Sequence, residues 1–591
     1  MIWLRKIRIH LVLVALSATA LAGCVGGQQA AQQDPEAATG RVAKEQATGN
    51  NYMVAAATEM ATDAGVEVLA KGGTAVDAAI AVQAMLTLTE PQSSGIGGGA
   101  FILYWDNENK QLYTIDAREK APLAAGGDLF LKANGEPESW IDAVVGGRSV
   151  GVPGVLAGLN MAHERWGNQR WSELFQATIT AADEGFEVSP RLARLLELEI
   201  NPGLTKLSPA KEYFYPNGKP LQAGTWKKNP ELAATLRSIS ADGIKPFYEG
   251  ELATDMVTAV QNSAIAPGLL AEEDLASYSA KLRDPVCAPY RNYEVCGMGP
   301  PSSGGLTLLQ TLGILESFDL AELGVNSEEA LHYFTQASRL AFADRNRYIA
   351  DTDFVEVPMA AMLHPDYLAE RAAMISAEDM GFARAGELLE GRLTTSSPEL
   401  PNTTHVAIVD AKGNAVSMTS SIEMGFGSSV MVNGYLLNNQ LTDFSRVPEI
   451  NGNQVANRVE PGKRPRSSMA PTMIFDAEGN LRHALGSPGG TRIINYVTQT
   501  VIGLIDWELG MQQAIDLPKI TNVNGGTAVE KVAGSSELAA DLKARGHDVQ
   551  VRDLNSGLHG ITLLPDGNLI GGADPRREGR AKGDQKDESN D

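Results

Sequence analysis

Apolar and polar positions change their rhythm along the chain. The run ATDAGVEVLAKGGTAVDAAIAVQAMLTLTEP near the start of the body repeats its apolar residues at helical spacing and breaks at Gly72-Gly73. That predicts two helices, with Thr74 capping the second and Pro91 closing it. SSGIGGGAFILYW follows, a glycine run feeding a strand. Gly95, Gly97 and Ala100 formally fit a dinucleotide fingerprint, but that motif follows a strand and opens a helix. Here the order is reversed, so the glycines are read as allowing close packing or a sharp turn. From about 154 to 345 the pattern is mainly helical, as in ELAATLRSISADG and EEALHYFTQASRLAFADRNRYI, with an interruption at GMGPPSSGG. A Ser/Pro-rich passage, RAGELLEGRLTTSSPELPN, then leads to an abrupt change at Thr403. Beyond it THVAIVDAKGNAVSMTSS predicts a hairpin turning at Lys412-Gly413-Asn414, and APTMIFDAEGNLRHALGS repeats the shape with its turn at Glu478-Gly479-Asn480. Hairpins flanked by helices predict a layered α/β architecture rather than an alternating parallel sheet.

The two ends differ from this body. MIWLRKIRIHLVLVALSATALAGC has a basic start, a short apolar core and small residues before Cys24, the plan of a secretory signal over residues 1–23. It is shorter than the roughly 20 apolar residues of a membrane span. Leu21 to Cys24 resembles the lipobox of bacterial lipoproteins, which implies lipid on Cys24 and an anchor without a transmembrane helix. Residues 24–50 are poor in large apolar side chains and read as a flexible tether, and 578–591 as a disordered tail. The expected location is the cell envelope, with the outer membrane favoured because Val25 and Gly26 lack the aspartate that resembles an inner-membrane retention signal.

Composition narrows the functions. The chain of 591 residues is 43% hydrophobic and 20% charged, enough for a large core, and its formal net charge of −23 argues against nucleic acid and against polybasic membrane binding. Eight histidines without HExxH or CxxC spacing give no sign of a metal site, and no cofactor is expected. Export permits a disulfide, and the short spacer between Cys287 and Cys296 suits two neighbouring strands and favours a bridge over two free thiols.

PNTTHVAIVD places a hydroxyl at the threshold of a strand with no base nearby. A threonine hydroxyl is a weak nucleophile that needs an adjacent base. Were Thr403 the first residue of its own chain, its α-amine, with an ordinary pKa of about 7.7–8.0, would lie beside its own Oγ and serve. Breaking the bond between Asn402 and Thr403 uncovers that base. By spacing alone a Thr-Thr pair before a strand is unremarkable, since threonine favours strands. The surroundings lift it. TTHVAIVDAKGNAVSMTSSIEMGFGS, LLNNQLTDFS, PGKRPRSSMAPT and GSPGGTRI resemble, in order, the small-subunit motifs of the γ-glutamyltransferase family, and PQSSGIGGGAFILYW, IDAREKAP, PPSSGG and AFADRNRYIADTDFVEVP extend the likeness upstream, over about 52–577.

The resemblance implies an N-terminal-nucleophile hydrolase fold, a four-layer αββα sandwich made as a precursor that cuts itself into a large subunit (51–402) and a small one (403–577) that stay associated. It makes Thr403 the nucleophile, Ser421 a supporting hydroxyl where threonine is usual, and Gly489 and Gly490 the oxyanion hole. Arg118, Ser467 and Ser468 match the grip on the substrate's α-carboxylate; Glu423, Gln440 and Asp443 match the positions that hold its α-ammonium. The implied substrates are glutathione and other γ-glutamyl donors, with water, amino acids or peptides as acceptors. Residues 445–466 are shorter than the stretch that forms a lid in many members and hold no aromatic residue, and Glu423 stands where many relatives carry asparagine. Both departures resemble the lidless branch and point to an open site.

Three other readings compete. Gly147-Arg-Ser149-Val-Gly151 fits the nucleophile elbow, but Pro153 and Gly154 follow where a helix is required, so Ser149 is read as shaping the cleft or a turn. An acylase of the same family, removing glutaryl-type groups, has less need of an ammonium site. A non-catalytic amino-acid-binding lipoprotein has no need of a nucleophile.

Overall fold

A computed structural model describes residues 40–390, Glu399 and 402–584. Residues 1–39, with the expected signal and Cys24, lie outside the described residues, as do 585–591.

Strand alternation organises the core. In Thr404–Val409, Val406 and Ile408 face one apolar cluster while Ala407 and Val409 face another, and Gly99–Asp106 divides in the same way, Ile102 and Tyr104 against Phe101, Leu103 and Trp105. Neither cluster meets solvent, so these strands are apolar on both faces and must be covered on both.

They belong to a seven-stranded sheet in the order Arg580–Gly583, Met53–Ala56, Thr404–Val409, Ala415–Ser421, Gly99–Asp106, Gln111–Ala117, Lys281–Arg283. A second seven-stranded sheet runs Ala47–Gly49, Leu569–Ala573, His559–Leu563, Leu481–Gly486, Thr472–Phe475, Tyr293–Gly297, Val286–Tyr290. All pairings within both are antiparallel. One apolar cluster joins the first sheet to helices Glu59–Ala70, Ala75–Thr89 and Val155–Trp166; the other joins the facing sheets to helices Gly304–Leu315, Glu328–Tyr348 and Ile493–Ile505. The result is the αββα sandwich. Burying each large aliphatic side chain in it contributes about 1.5–3 kcal/mol.

The expected helices form, and Thr74 with Asp77 makes a capping box at the start of Ala75–Thr89. Both hairpins turn where expected, around Gly413 and Gly479, each with positive φ. Cys287 and Cys296 are cross-strand neighbours and are disulfide-bonded. The stretch read as mainly helical also carries five strands, two short ones at Phe186–Glu187 and Trp226–Lys227 and three between Lys281 and Gly297.

Two boundaries are corrected. The tether reading of 24–50 fails from Gly40 onward in the described part: the Val42 amide donates to Pro575 O (2.8 Å), and Ala47–Gly49 pairs with Leu569–Ala573. The tail reading fails over 578–584, where Arg580–Gly583 pairs with Met53–Ala56. Both are edge strands, whose polar or charged composition suits one open side and imitates that of a linker. Among the described residues, no helix is long and apolar enough to cross a membrane.

Candidate active site

Register brings the hydroxyls together. Thr404 opposes Ser420 and Ser420 opposes Ala100, so Thr403 and Ser421 stand opposite each other at the same sheet end, pointing between the two sheets with His405 and Thr419. Thr403 Oγ lies 3.2 Å from Ser421 Oγ, which donates to the Asn402 carbonyl (3.0 Å) and accepts from the Glu423 amide (2.8 Å). Thr403 is 2% exposed. Arg577 Nη1 donates to Thr403 O (3.2 Å) and pairs with Glu90 (3.9 Å), fixing the start of the strand.

Beside Thr403 lies a cavity of about 10 Å³ lined by Arg118, Glu399, Thr403, Ser421, Glu423, Gln440, Asp443, Ser467, Ser468, Met469, Gly490 and Ile493. Eight of the nine sequence-selected residues from 403 onward thus line one cavity, and the ninth, Gly489, adjoins Gly490. Arg118 follows the strand Gln111–Ala117, and its amide is held by Asp116 (2.9 Å). Its guanidinium donates to Pro465 O (3.2 Å), Arg466 O (3.0 Å) and Asp443 Oδ2 (2.5 Å), the last contact spanning 325 residues of sequence. Gln440 Nε2 bridges Glu423 Oε2 (3.0 Å) and Asp443 Oδ2 (2.9 Å). Glu423 sits at φ 77°, a left-handed conformation that costs a non-glycine residue and that concentrates at functional sites. Ser467 and Ser468 are clamped by PPSSGG: Ser303 N and Oγ both donate to Ser467 O at 2.7 Å, and Ser302 Oγ donates to Met469 O.

Electrostatically the site is acid-rich and dry. Burial pulls the Arg118 guanidinium down, but Asp443, Glu119, Glu423 and Glu399 outweigh it and leave its pKa above the ordinary value. Burial pushes Asp443 up to about 6 against the pull of Arg118, and Glu119, 3.6 Å from Arg118, up to about 8. Arg118 Nη1, Asp443 Oδ1 and Gln440 Oε1 have no hydrogen-bond partner among the described residues. Arg118 Nη1, held among the described residues only by its 3.6 Å ion pair with Glu119, and the two buried acceptors complement a ligand carrying both a carboxylate and an ammonium.

Gly489 and Gly490 precede helix Ile493–Ile505, at φ 135° and 57°. A Cβ on Gly489 would lie 2.7 Å from the Tyr496 ring, so the turn requires glycine. Successive positive-φ amides before a helix suit an oxyanion.

Two participants carried no assigned role in the sequence. Arg345 lies in the quoted ADRNRY motif, and Glu399 in the Ser/Pro-rich passage before Thr403. Ser149 is buried, its Oγ donating to Val144 O (2.6 Å) and Gly146 O (3.1 Å), so it shapes a turn and is no nucleophile. No residue of 445–466 lines the cavity; Asn457 Nδ2 to Asp443 O (2.8 Å) and Arg446 Nη1 to Glu138 O (2.8 Å) hold that loop to the side, with Glu449–Gln454 as an exposed hairpin.

The fold recurs in known proteins. The chain is 36% identical over 549 residues to a glutathione hydrolase proenzyme of Bacillus subtilis (strain 168), covering 90% of this chain and 92% of that one. It is equally 36% identical over 550 residues to the acylase ACY 1 proenzyme of Pseudomonas sp. (strain V22), covering 91% and 94%. The crystal structure of cephalosporin acylase from Bacillus halodurans superposes with a TM-score of 0.82 at 28% identity, covering 94% of this chain and 99% of that one. Such neighbours place the sandwich among the N-terminal-nucleophile hydrolases and make the protein an enzyme. With residues 61–584 matching the gamma-glutamyltranspeptidase model, from the first helix through the strand that closes the sheet containing Thr404–Val409, the chain belongs to the gamma-glutamyltranspeptidase family.

Proposed function

We propose that the protein is a γ-glutamyltransferase and glutathione hydrolase that matures by cutting its own chain between Asn402 and Thr403. The observation that carries this reading is the buried set Arg118 Nη1, Asp443 Oδ1 and Gln440 Oε1, none of them hydrogen-bonded among the described residues, beside Thr403 in one cavity. It matches the two opposite charges of a glutamyl α-carbon.

Maturation begins with Thr403 Oγ attacking the Asn402 carbonyl carbon. Ser421 Oγ, already donating to that carbonyl at 3.0 Å, stabilises the developing oxyanion. The Oγ proton passes to the amide nitrogen as the C–N bond breaks, so that the nitrogen leaves as the Thr403 α-amine and an ester links Asn402 to Oγ. Water hydrolyses the ester, leaving the Asn402 carboxylate and an N-terminal threonine.

In turnover the α-amine takes the Oγ proton as Oγ attacks the donor's γ-carbonyl. The oxyanion faces the Gly489 and Gly490 amides, and the proton passes to the leaving amine. The γ-glutamyl ester on Thr403 is then released to water or to an amine acceptor. Arg118, Ser467 and Ser468 hold the α-carboxylate; Glu423, Gln440 and Asp443 hold the ammonium. A site built this way discriminates against a glutaryl group, which leaves the buried acids unpaired. That favours the transferase over the acylase reading. The sideways loop 445–466 supports ready access of water and of bulky γ-linked donors. The leader and Cys24 support export and a lipid anchor.

The test is γ-glutamate release from glutathione by purified protein, with and without a dipeptide acceptor. Release together with a γ-glutamyl dipeptide is expected; preference for glutaryl amides over γ-glutamyl amides would replace this reading with the acylase.

A further inference from the structure

Arg345 ends the last turn of helix Glu328–Tyr348 and is 1% exposed. Its Nε donates to Ser303 Oγ (2.8 Å), its Nη1 to Asn346 Oδ1 (2.9 Å) and its Nη2 to Ser468 Oγ (2.7 Å). Nη2 also donates to the Glu399 carboxylate. Arg466, equally buried, has its Nε 3.9 Å from that carboxylate and donates from Nη1 to Arg345 O (3.4 Å). Two buried guanidiniums therefore share one carboxylate. Burial and the Arg345 charge pull Arg466 down to about 9, with Glu399 and Asp443 opposing.

Glu399 stands four positions before Thr403, on the side of the chain that the cut releases. Its backbone is held by Thr491 alone among the described residues, at 3.3 Å in each direction between main chains or hydroxyl, with Thr491 Oγ1 also donating to Glu399 O (3.1 Å). Its side chain, 6% exposed, lines the cavity with Arg118, Ser467 and Ser468. What remains of that cavity, about 10 Å³, is room for roughly one water molecule. A γ-glutamyl group cannot enter until Glu399 leaves.

We propose that Glu399 is an internal pseudosubstrate: its carboxylate holds the place of the donor's α-carboxylate until the chain is cut, and Arg345 then joins Arg118, Ser467 and Ser468 as a donor-binding residue. The inference rests on the γ-glutamyl reading of the site. Glu399 and the donor present the same group, a carboxylate, to the same Arg345–Ser468 pair. Withdrawal of Glu399 alone would leave two guanidiniums buried without their anion, which is costly; exchange for the donor's carboxylate avoids this. The uncut chain is thereby kept closed to donors, and the cut, which makes the α-amine, also severs Glu399 from Thr403.

Two measurements test it. In the uncut Thr403→Ala chain, calorimetry with L-glutamate should show binding at least about tenfold tighter once Glu399→Gln is added; equal affinity would overturn the pseudosubstrate. In processed enzyme, Arg345→Gln should raise KM for γ-glutamyl-p-nitroanilide about tenfold or more with kcat within about threefold, and leave kcat/KM for 4-aminobutyryl-p-nitroanilide, which lacks the α-carboxylate, within about twofold. Arg345→Lys, which keeps the charge, should show a smaller loss of the same kind and guards against misfolding. Equal losses on both donors, or a fall in kcat alone, would make Arg345 structural and overturn its assignment. Failure of the γ-glutamyl reading would show separately, as wild-type enzyme that does not turn over the γ-glutamyl donor.

Discussion

Replacing Ser421 by alanine removes one oxygen that serves two hydrogen bonds and faces the nucleophile. Its Oγ donates to the Asn402 carbonyl at 3.0 Å, accepts from the Glu423 amide at 2.8 Å and lies 3.2 Å from Thr403 Oγ. The first contact develops into an oxyanion bond during the cut, and losing one such donor costs about 2.7–4 kcal/mol of barrier, or about 10²–10³ in rate. The second loss leaves a buried amide unsatisfied, at about 1–3 kcal/mol of stability. The fold, with its two-sheet core, should survive that. Ser421→Ala is therefore expected to accumulate as intact chain, cutting at least about a hundredfold more slowly than wild type, while Ser421→Thr keeps the hydroxyl and cuts at a comparable rate. The assay is a time course of purified protein on a denaturing gel, with thermal unfolding to confirm the fold. Cutting of Ser421→Ala within about threefold of wild type would refute the assignment of Ser421 as the donor.

Arg118→Lys keeps a charge but loses the fork that reaches Pro465 O, Arg466 O and Asp443 together; processing should persist while kcat/KM for a γ-glutamyl donor falls about tenfold or more, about 1.4 kcal/mol, and unchanged kinetics would place the α-carboxylate elsewhere. Asp443, raised to about 6, must be ionised to hold the ammonium, so kcat/KM for γ-glutamyl-p-nitroanilide should acquire an additional acid limb near pH 6 that glutaryl-p-nitroanilide, without an ammonium, does not show; identical profiles would contradict this. His405 and His559 are buried, burial chiefly holding the first well below its ordinary value and the second at about 4. Both are neutral when folded and protonate near pH 6.5 when unfolded, so stability is full above that pH and falls as pH drops from 6.5 toward 4, by about 1.4 kcal/mol per unit for each histidine. Denaturant unfolding of the uncut Thr403→Ala chain between pH 7.5 and 5 checks the slope, and a flat profile would contradict it.

Legibility in the sequence followed the range of the interaction. The hairpin Thr404–Val409/Ala415–Ser421 was readable because period-two alternation and a Gly turn are local, and that register alone sets Thr403 opposite Ser421. The roles of Arg118 and Asp443 came from resemblance, since nothing local shows that residues 325 positions apart meet at 2.5 Å. Arg345 and Glu399 gave no such sign: an arginine near a helix C-terminus normally favours the dipole, and a glutamate in a Ser/Pro-rich passage normally faces water. The edge strands Ala47–Gly49 and Arg580–Gly583 were hidden by polarity that the open side of a sheet permits.

The central claim is that Thr403 becomes a chain terminus and carries the γ-glutamyl group. Its most direct test is intact mass and peptide mapping of enzyme quenched during turnover of γ-glutamyl-p-nitroanilide without acceptor. A small fragment beginning at Thr403 and heavier by one γ-glutamyl group, with the increment mapped to Thr403, is the predicted result. An uncut active chain, or an adduct on any other residue, would contradict the account.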